Sequence, residues 1–335
     1  MLIKKSLKIV TIFILITLSV SCNNKKGIRL GVMFPYTTSS RFALEEKYFQ
    51  NKAQELGCEV TFMDAKSDEK TQKDQSQELI KSKIDVLIIM AINAYTAAEI
   101  VRNAHEAGIK VIAYDRIIYN CDLDFYISHN NYNVGKYMAE YALKLKPSGK
   151  YLILGGDKSD RNAIMVKNGQ MDAIQKNIQS GKIKIVYNVY TEDWSGENAY
   201  KEVVDYLKLS SMDVPDVILS SYDGMSRAAS QAMQDLKVKQ DVLITGQDAE
   251  PLSIKEIITG KQTMTIYKPF KILAETAVLT AIKLSNSEKV DTNATTYNNR
   301  INVPTYLFDP IVVDKSNYKQ TVIADGLVKE EDLLR

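Results

Sequence analysis

Short apolar runs and amphipathic stretches alternate along almost the whole chain. Residues 27–34 (GIRLGVMF) form one run of apolar, β-favouring positions, and 41–56 then show helical spacing that stops at Gly57. Runs at 58–63, 85–90 and 109–113 predict further strands, separated by helices over 69–81 and 95–107, the latter closed by Gly108. After a short strand at 125–128 the pattern restarts. Helices are predicted over 132–145, 162–179, 197–209, 225–236 and 251–258, with strands between them at 151–154, 183–189, 217–220 and 242–245. A strand at 263–267 and a helix at 270–284 follow, then a polar, Asn-rich loop over 285–302 and a late strand over 306–313. Apolar runs bounded by turns suit strands buried on both faces, and strand–helix alternation at this spacing predicts parallel sheets covered by helices. At 335 residues the chain exceeds one small core. Two α/β units of similar size are expected. No Gly/Ser or Pro linker separates them, so the chain should cross between units through strand-like segments.

Polar residues recur just past the apolar strands, where open α/β sheets bind ligands. The run IKVIAYDR (109–116) sets a tyrosine, a carboxylate and a guanidinium (Asp115, Arg116) side by side at a strand's carboxyl end. Arg41 and Phe42 follow the first strand. Asp160 and Asn162 follow Gly155-Gly156, Trp194 follows the strand at 183–189, Tyr222 follows 217–220, Asp248 follows 242–245, and Lys268 follows 263–267. That inventory suits a small polyol: charged groups make paired hydrogen bonds to hydroxyls, and rings such as Phe42 and Trp194 cover the C–H faces of a sugar. Each residue also has a plainer explanation, since a carboxylate after a strand is a ready helix N-cap or turn former. The Gly155-Gly156 pair reads as a turn, because neither G-x-G-x-x-G nor a P-loop follows. Asp157 and Asp160 lack any spacing that makes one an acid and the other a base. Neither His105 nor His129 has a nucleophile motif beside it, and no catalytic residue is assigned.

Charge narrows the partners. The 43 basic and 41 acidic residues are mixed throughout, giving a net +2 with no basic stripe, which argues against nucleic acid. The amino terminus differs from the rest. Lys4, Lys5 and Lys8 precede an apolar run over 9–18, and Ser19-Val20-Ser21-Cys22 follows. A basic region, a short apolar core and small residues before a cleavage point make an export signal. Cys22 after those small residues resembles a lipobox, so residues 1–22 are expected to be a lipoprotein signal peptide and Cys22 the lipidated first residue, held at a membrane by several acyl chains. Cys58 and Cys121 then remain: an oxidising compartment permits a disulfide between them, but one begins a strand and the other lies in a loop, which favours two unpaired thiols, and with only two histidines no metal spacing is present.

With these positions laid out, the chain resembles the periplasmic sugar-binding proteins of the ribose/xylose type, closest to the D-xylose-binding proteins of ABC transporters. The segments DVLIIMAINA, GIKVIAYDRII, DLDFYIS, GG…D-x-N-A, SGKIKIV, TGQDAE and QTMTIYKP carry the resemblance, which spans about 27–328. It implies the type I periplasmic-binding-protein fold: two Rossmann-like domains with parallel sheets, joined by a three-segment hinge. The expected division is 23–131 plus 262–294 for one subdomain and 132–261 plus 295–335 for the other. It further implies that Arg41, Asp115 and Arg116 from one side, and Asp160, Asn162 and Asp248 from the other, hold sugar hydroxyls. Lys268 would lie near the hinge, and Trp194 and Phe42 would stack on the ring. The family carries a sugar-bonding asparagine where this chain has Tyr222, and the stretch 35–40 lacks the family's charged residues. The expected function is binding of a monosaccharide, D-xylose first, without cofactor or catalysis. An ABC permease or a sensor histidine kinase would read the closed form. A transcription regulator on this fold would need a helix-turn-helix before Gly27, where the chain carries its export signal. A glycosidase using Asp115 with Asp160 or Asp248 is the enzymatic rival.

Overall fold

The computed structural model describes residues 27–35 and 40–333. The expected signal segment, Cys22 and most of the loop before the first helix lie outside those residues. In chain order the first lobe contributes β1 (Arg29–Phe34), α1 (Ser40–Glu55), β2 (Glu59–Asp64), α2 (Glu69–Lys81), β3 (Val86–Ile89), α3 (Ala98–Glu106), β4 (Lys110–Tyr114) and β5 (Phe125–His129). The second lobe follows with α4 (Asn131–Leu145), β6 (Gly149–Gly155), α5 (Arg161–Gln179), β7 (Ile183–Tyr190), α6 (Gly196–Leu209), β8 (Val217–Ser220), α7 (Asp223–Asp235), β9 (Leu243–Ile244), α8 (Pro251–Thr259) and β10 (Met264–Tyr267). The chain then returns to the first lobe through α9 (Phe270–Ser285), β11 (Ala294–Tyr297) and β12 (Asn302–Phe308). It crosses once more to β13 (Ile311–Asp314) and a short α10 (Glu330–Leu333) in the second lobe.

The first sheet runs β11-β12-β5-β4-β3-β1-β2, parallel except for the β11–β12 pair. Alternation along its strands fills both faces. Leu30, Val32 and Phe34 pack with Phe49 of α1 and Leu273 of α9, while Met33, Leu87 and Ile89 pack with α2 and α3. The second sheet runs β7-β6-β8-β9, all parallel. It is prolonged by the antiparallel β10–β13 ladder through a bridge between Gln247 and Ile266. One of its faces packs on α6 and α7, the other on α4 and α5.

Two polypeptide stretches sit elsewhere than the sequence predicts. Residues 262–267 pair in the second lobe rather than the first, and 294–308 pair in the first rather than the second. The expected boundaries at 262 and 294/295 are corrected accordingly. The single late strand over 306–313 is really two strands, β12 and β13, in different sheets. Asp309-Pro310 divides them, and proline has no N–H to continue a ladder. The stretch read as loop contains the edge strand β11. Three crossings result, at 129–131, 267–270 and 308–311, and the first and third are tied where Asn130 N donates to Phe308 O at 2.8 Å. Cys58 and Cys121 are not bonded to each other in this structure. Among the described residues no helix is long and apolar enough to cross a membrane.

Candidate functional site

The carboxyl ends of both parallel sheets face each other, and the polar residues of the two lobes meet there. Asp115 leaves β4 in the left-handed region at φ 64°, a conformation that Asp tolerates better than most residues. Its carbonyl accepts from Tyr126 Oη at 3.1 Å and Ser128 Oγ at 2.9 Å, both from β5. Across the cleft, Asn162 Nδ2 donates to the same carbonyl at 3.4 Å. The Asp115 carboxylate lies 3.0 Å from Arg41 Nη2. Burial alone would raise this carboxyl, but Arg41, Lys268 and Arg116 outweigh it and hold it well below the usual carboxylate range. It is ionised whenever the protein is folded near neutrality.

Arg41 sits in the first turn of α1, with its guanidinium carbon 4.2 Å from the ring centroid of Phe270, the first residue of α9. It also bonds Glu45, one helical turn on, through Nε and Nη2 at 3.2 Å. Arg116 reaches the other lobe: Nη2 is 3.3 Å from Asp160 Oδ2, while Nη1 donates to Ala91 O at 3.3 Å. Asp160 thus has two duties, since its Oδ1 accepts from Asn162 N at 2.8 Å as the N-cap of α5. In the second lobe Lys268 Nζ lies 2.9 Å from Asp248 Oδ1, and both sit where β9 and β10 give way to the crossing.

Trp194 rests over Gly156. A Cβ built on Gly156 would lie 2.4 Å from three atoms of the indole, so this position admits no side chain while the ring is in place. The turn before the ring is fixed by Asp157, whose Oδ2 accepts from Asp193 N at 2.7 Å. Tyr222 meets Trp194 edge to face, with centroids 6.5 Å apart at 89°. A cavity of about 210 Å³ opens between the lobes, lined by Pro35, Ala91, Arg116, Asp160, Asn162 and Trp194 among others.

The structure therefore brings together Arg41, Asp115 and Arg116 with Asp160, Asn162, Asp248 and Lys268, as well as Trp194 with Tyr222. Phe42 is placed differently from its expected role. It is 3% exposed and packs on Phe34 at 5.4 Å within the first lobe's core, because the helix carries it one residue round from Arg41. Sequence analysis assigns no role to Glu45, Asn131 or Gln247, although Gln247 lies in the polar cluster after the strand at 242–245. Glu45 was discoverable by its i,i+4 spacing from Arg41. The Nδ2 of Asn131, beside the first crossing, and the Oε1 of Gln247, beside Asp248, are buried without hydrogen-bond partners among the described residues. His129, at the end of β5, is wedged between Phe270 and Phe308. Burial, reinforced by Lys268, takes it down to about 3, so it is a neutral ring in the working range.

Glu45 makes a testable electrostatic claim. Its Oε1 accepts from Arg41 and from Tyr114 Oη at 3.2 Å, while Oε2 has no partner among the described residues. Burial pushes the carboxyl from 4.5 up to about 7, with Arg41 opposing the rise and Asp115 adding to it. The folded chain therefore holds this proton more tightly than the unfolded chain does. The stability that the group contributes is complete below pH 4.5 and is lost as pH rises through about 7. Between about pH 5 and pH 8 the melting temperature of the parent chain should fall further than that of Glu45→Gln, which carries no proton to lose. Parallel curves for the two proteins would refute this.

Comparison with known proteins agrees with the geometry. The profile of the periplasmic binding protein domain matches residues 30–289. The D-xylose-binding periplasmic protein of Haemophilus influenzae is 37% identical over 95% of this chain and 96% of its own length. A multiple sugar-binding periplasmic receptor of Rhizobium radiobacter is 31% identical over 91% and 92% of the two chains. Among solved structures, an ABC transporter solute-binding protein of Clostridium phytofermentans with bound β-D-glucose superposes with a TM-score of 0.86 at 28% identity, covering 91% of this chain and 99% of that one. Two parallel-sheet lobes with three crossings, a polar cleft at their strand ends and relatives matching along nearly the entire length lead to one assignment: the chain belongs to the periplasmic binding protein family, among its xylose-type sugar-binding members.

Proposed function

We propose that this protein binds a monosaccharide, D-xylose first, between its lobes and presents it to an ABC sugar permease. One observation carries the reading: ionised groups of opposite sign converge on the cleft from both lobes in near-balanced sets. Arg41, Asp115 and Arg116 stand on one side, with Asp160, Asp248 and Lys268 on the other. A polyol that donates and accepts at every hydroxyl is the guest such a set suits, because each charged group makes a strong, oriented hydrogen bond without needing a net charge on the ligand. Asn162, together with Asn131 and Gln247, whose Nδ2 and Oε1 have no hydrogen-bond partner among the described residues, adds amides of the same bifunctional kind. Trp194, held flat over Gly156, supplies an apolar face for sugar C–H groups. Hinge closure about the three crossings is the motion by which a membrane partner would distinguish the loaded form. Residues 1–22 complete the reading as a lipoprotein export signal, with Cys22 as the anchor.

The test uses the chain's single tryptophan. Titration of the purified chain with D-xylose, L-arabinose, D-ribose, D-glucose and D-galactose, followed by Trp194 emission, should give a saturable change at micromolar D-xylose. A response to another sugar alone would replace the ligand. Silence with all five, together with no thermal shift, would refute sugar binding.

A further inference from the structure

Gly155 closes β6 and Gly156 follows it, and each is bare for a different neighbour. The space at Gly156 is taken by the indole of Trp194. At Gly155 a Cβ would lie 3.0 Å from Val189 O, 3.2 Å from the Tyr190 ring and 3.4 Å from Lys167 Cδ. Lys167, on α5, is 7% exposed. Its Nζ donates to Val189 O at 3.1 Å and stands 3.7 Å from the centroid of the Tyr190 ring, so one ammonium clasps the last two residues of β7. The turn that follows is strained. Asp193 and Trp194 take φ of 57° and 54°, the left-handed region that a bulky aromatic residue disfavours. Such backbone persists only where its surroundings fix it. Thr191 N donates to Gly155 O at 2.9 Å, Thr191 Oγ1 to Glu202 Oε2 at 2.7 Å, and Trp194 N to Thr191 O at 3.4 Å. Lys167 holds the strand end from which this turn begins. Burial, then Lys158 in the loop before α5, take its ammonium from 10.5 down to about 8. Burial raises the Tyr190 phenol, against an opposing pull from Arg161, so the ring facing the ammonium stays neutral there. Glu202, bonded to Thr191, is likewise raised by burial.

We propose that Lys167 is a positioning residue for the cleft: its ammonium locks the end of β7 and so holds the strained turn that lays Trp194 over Gly156. The proposal rests on the monosaccharide reading above and adds what keeps the stacking ring in place. A charged amine binds a carbonyl and a ring face more strongly than a neutral one. Loss of the charge, with the amine still present, therefore loosens the turn without emptying the space that Lys167 fills.

Acrylamide quenching of Trp194 emission in the unliganded chain reports how firmly the indole is held. It is followed from about pH 6.5 to about pH 9.5 in the full chain, in Lys167→Met and in Lys167→Arg, with the affinity for the preferred sugar measured at each end. In the parent, quenching should rise along a titration centred at about pH 8, and affinity should fall by about threefold or more across it. Lys167→Met carries no charge at either end, so it should show the high-pH quenching and the weaker affinity throughout. Lys167→Arg stays charged across the window and should keep the low-pH values at both ends. Flat quenching in the parent overturns the proposal, and so does a titration that survives in Lys167→Met, since another group would then be its source. Should Lys167→Met fail to melt cooperatively, Lys167→Arg decides: a titration as large as the parent's overturns the proposal and its absence supports it. A parent chain that binds none of the five sugars refutes the monosaccharide reading itself, while quenching in the unliganded chain still judges the role of Lys167.

Discussion

Asp115→Ala is expected to weaken sugar binding by two to three orders of magnitude and to lower the melting temperature of the unliganded chain as well. The carboxylate is 4% exposed and neutralises Arg41 at 3.0 Å, with Lys268 and Arg116 near enough to depress its titration. Removing one member of a buried ion pair costs about 3–5 kcal/mol where the other is left unpaired, and because Arg41 keeps Glu45 at 3.2 Å the loss here falls below that range. Alanine also accepts the left-handed backbone at this position less readily, adding about 1 kcal/mol. With Asp115 gone the cleft also loses a carboxylate able to accept from a sugar hydroxyl, so affinity falls along with stability. Asp115→Asn separates the two effects. It tolerates the backbone and keeps the size but not the charge, so it should recover the melting temperature more than the affinity. A dissociation constant for Asp115→Ala within about tenfold of the parent, in a folded protein, would remove this residue from the site.

The second large effect lies in the fold. Helices α4 and α5 approach through two glycines, each facing the other helix's backbone. A Cβ on Gly135 would stand 1.8 Å from Val166 O, and one on Gly169 would stand 2.0 Å from Tyr132 O. Backbone cannot swing aside as a side chain can, so alanine at either position must part the helices. The separation would open the core beneath them, where Val134, Met138 and Val166 meet Met264 and Ile266. Alanine favours an isolated helix by about 1 kcal/mol over glycine. Overpacking at a rigid contact costs about 1–3 kcal/mol or more. Gly169→Ala and Gly135→Ala should each lose about 2–3 kcal/mol in chemical denaturation, against the helix propensity of the new residue. A raised midpoint in either variant would show that the helices can slide apart freely. Since α5 also presents Asp160 and Asn162, sugar affinity should fall with stability.

The alternation of strands and helices was legible because buried parallel strands are unbroken apolar runs and the helices between them end at glycine or carry capping residues. Where apolarity ran on through Asp309-Pro310, it concealed a change of sheet, since hydrophobic pattern reports burial and not the partner strand. The edge strand β11 was hidden for the opposite reason: it is threonine-rich, alternates between half-buried and exposed, and lies in a polar stretch. For the cleft, position after a strand singled out Asp115, Arg116, Asp160, Asp248 and Lys268, whose charged groups the structure gathers at the strand ends. It failed for Phe42, where one residue of helical rotation decides between core and cleft. It was silent on Glu45, for which the i,i+4 spacing from Arg41 is the one available signal. The tie from Tyr222 to Glu250 spans 28 residues and depends on how α7 and α8 dock, which no local pattern records.

The return of the chain to its first sheet has a consequence for the order of events after synthesis. β12 adds to β5 across the 172 residues between them, and β11 joins the sheet only through β12. A nascent chain that has emerged as far as β10 therefore holds a first sheet with β5 as an open edge, its strand unpaired on one side. Such an edge invites pairing with other chains. The first lobe cannot complete its sheet until β12 arrives, so its folding depends on contacts far apart in sequence and is slow relative to the local helices. A polypeptide of this design is most prone to aggregation just before β12 covers that edge.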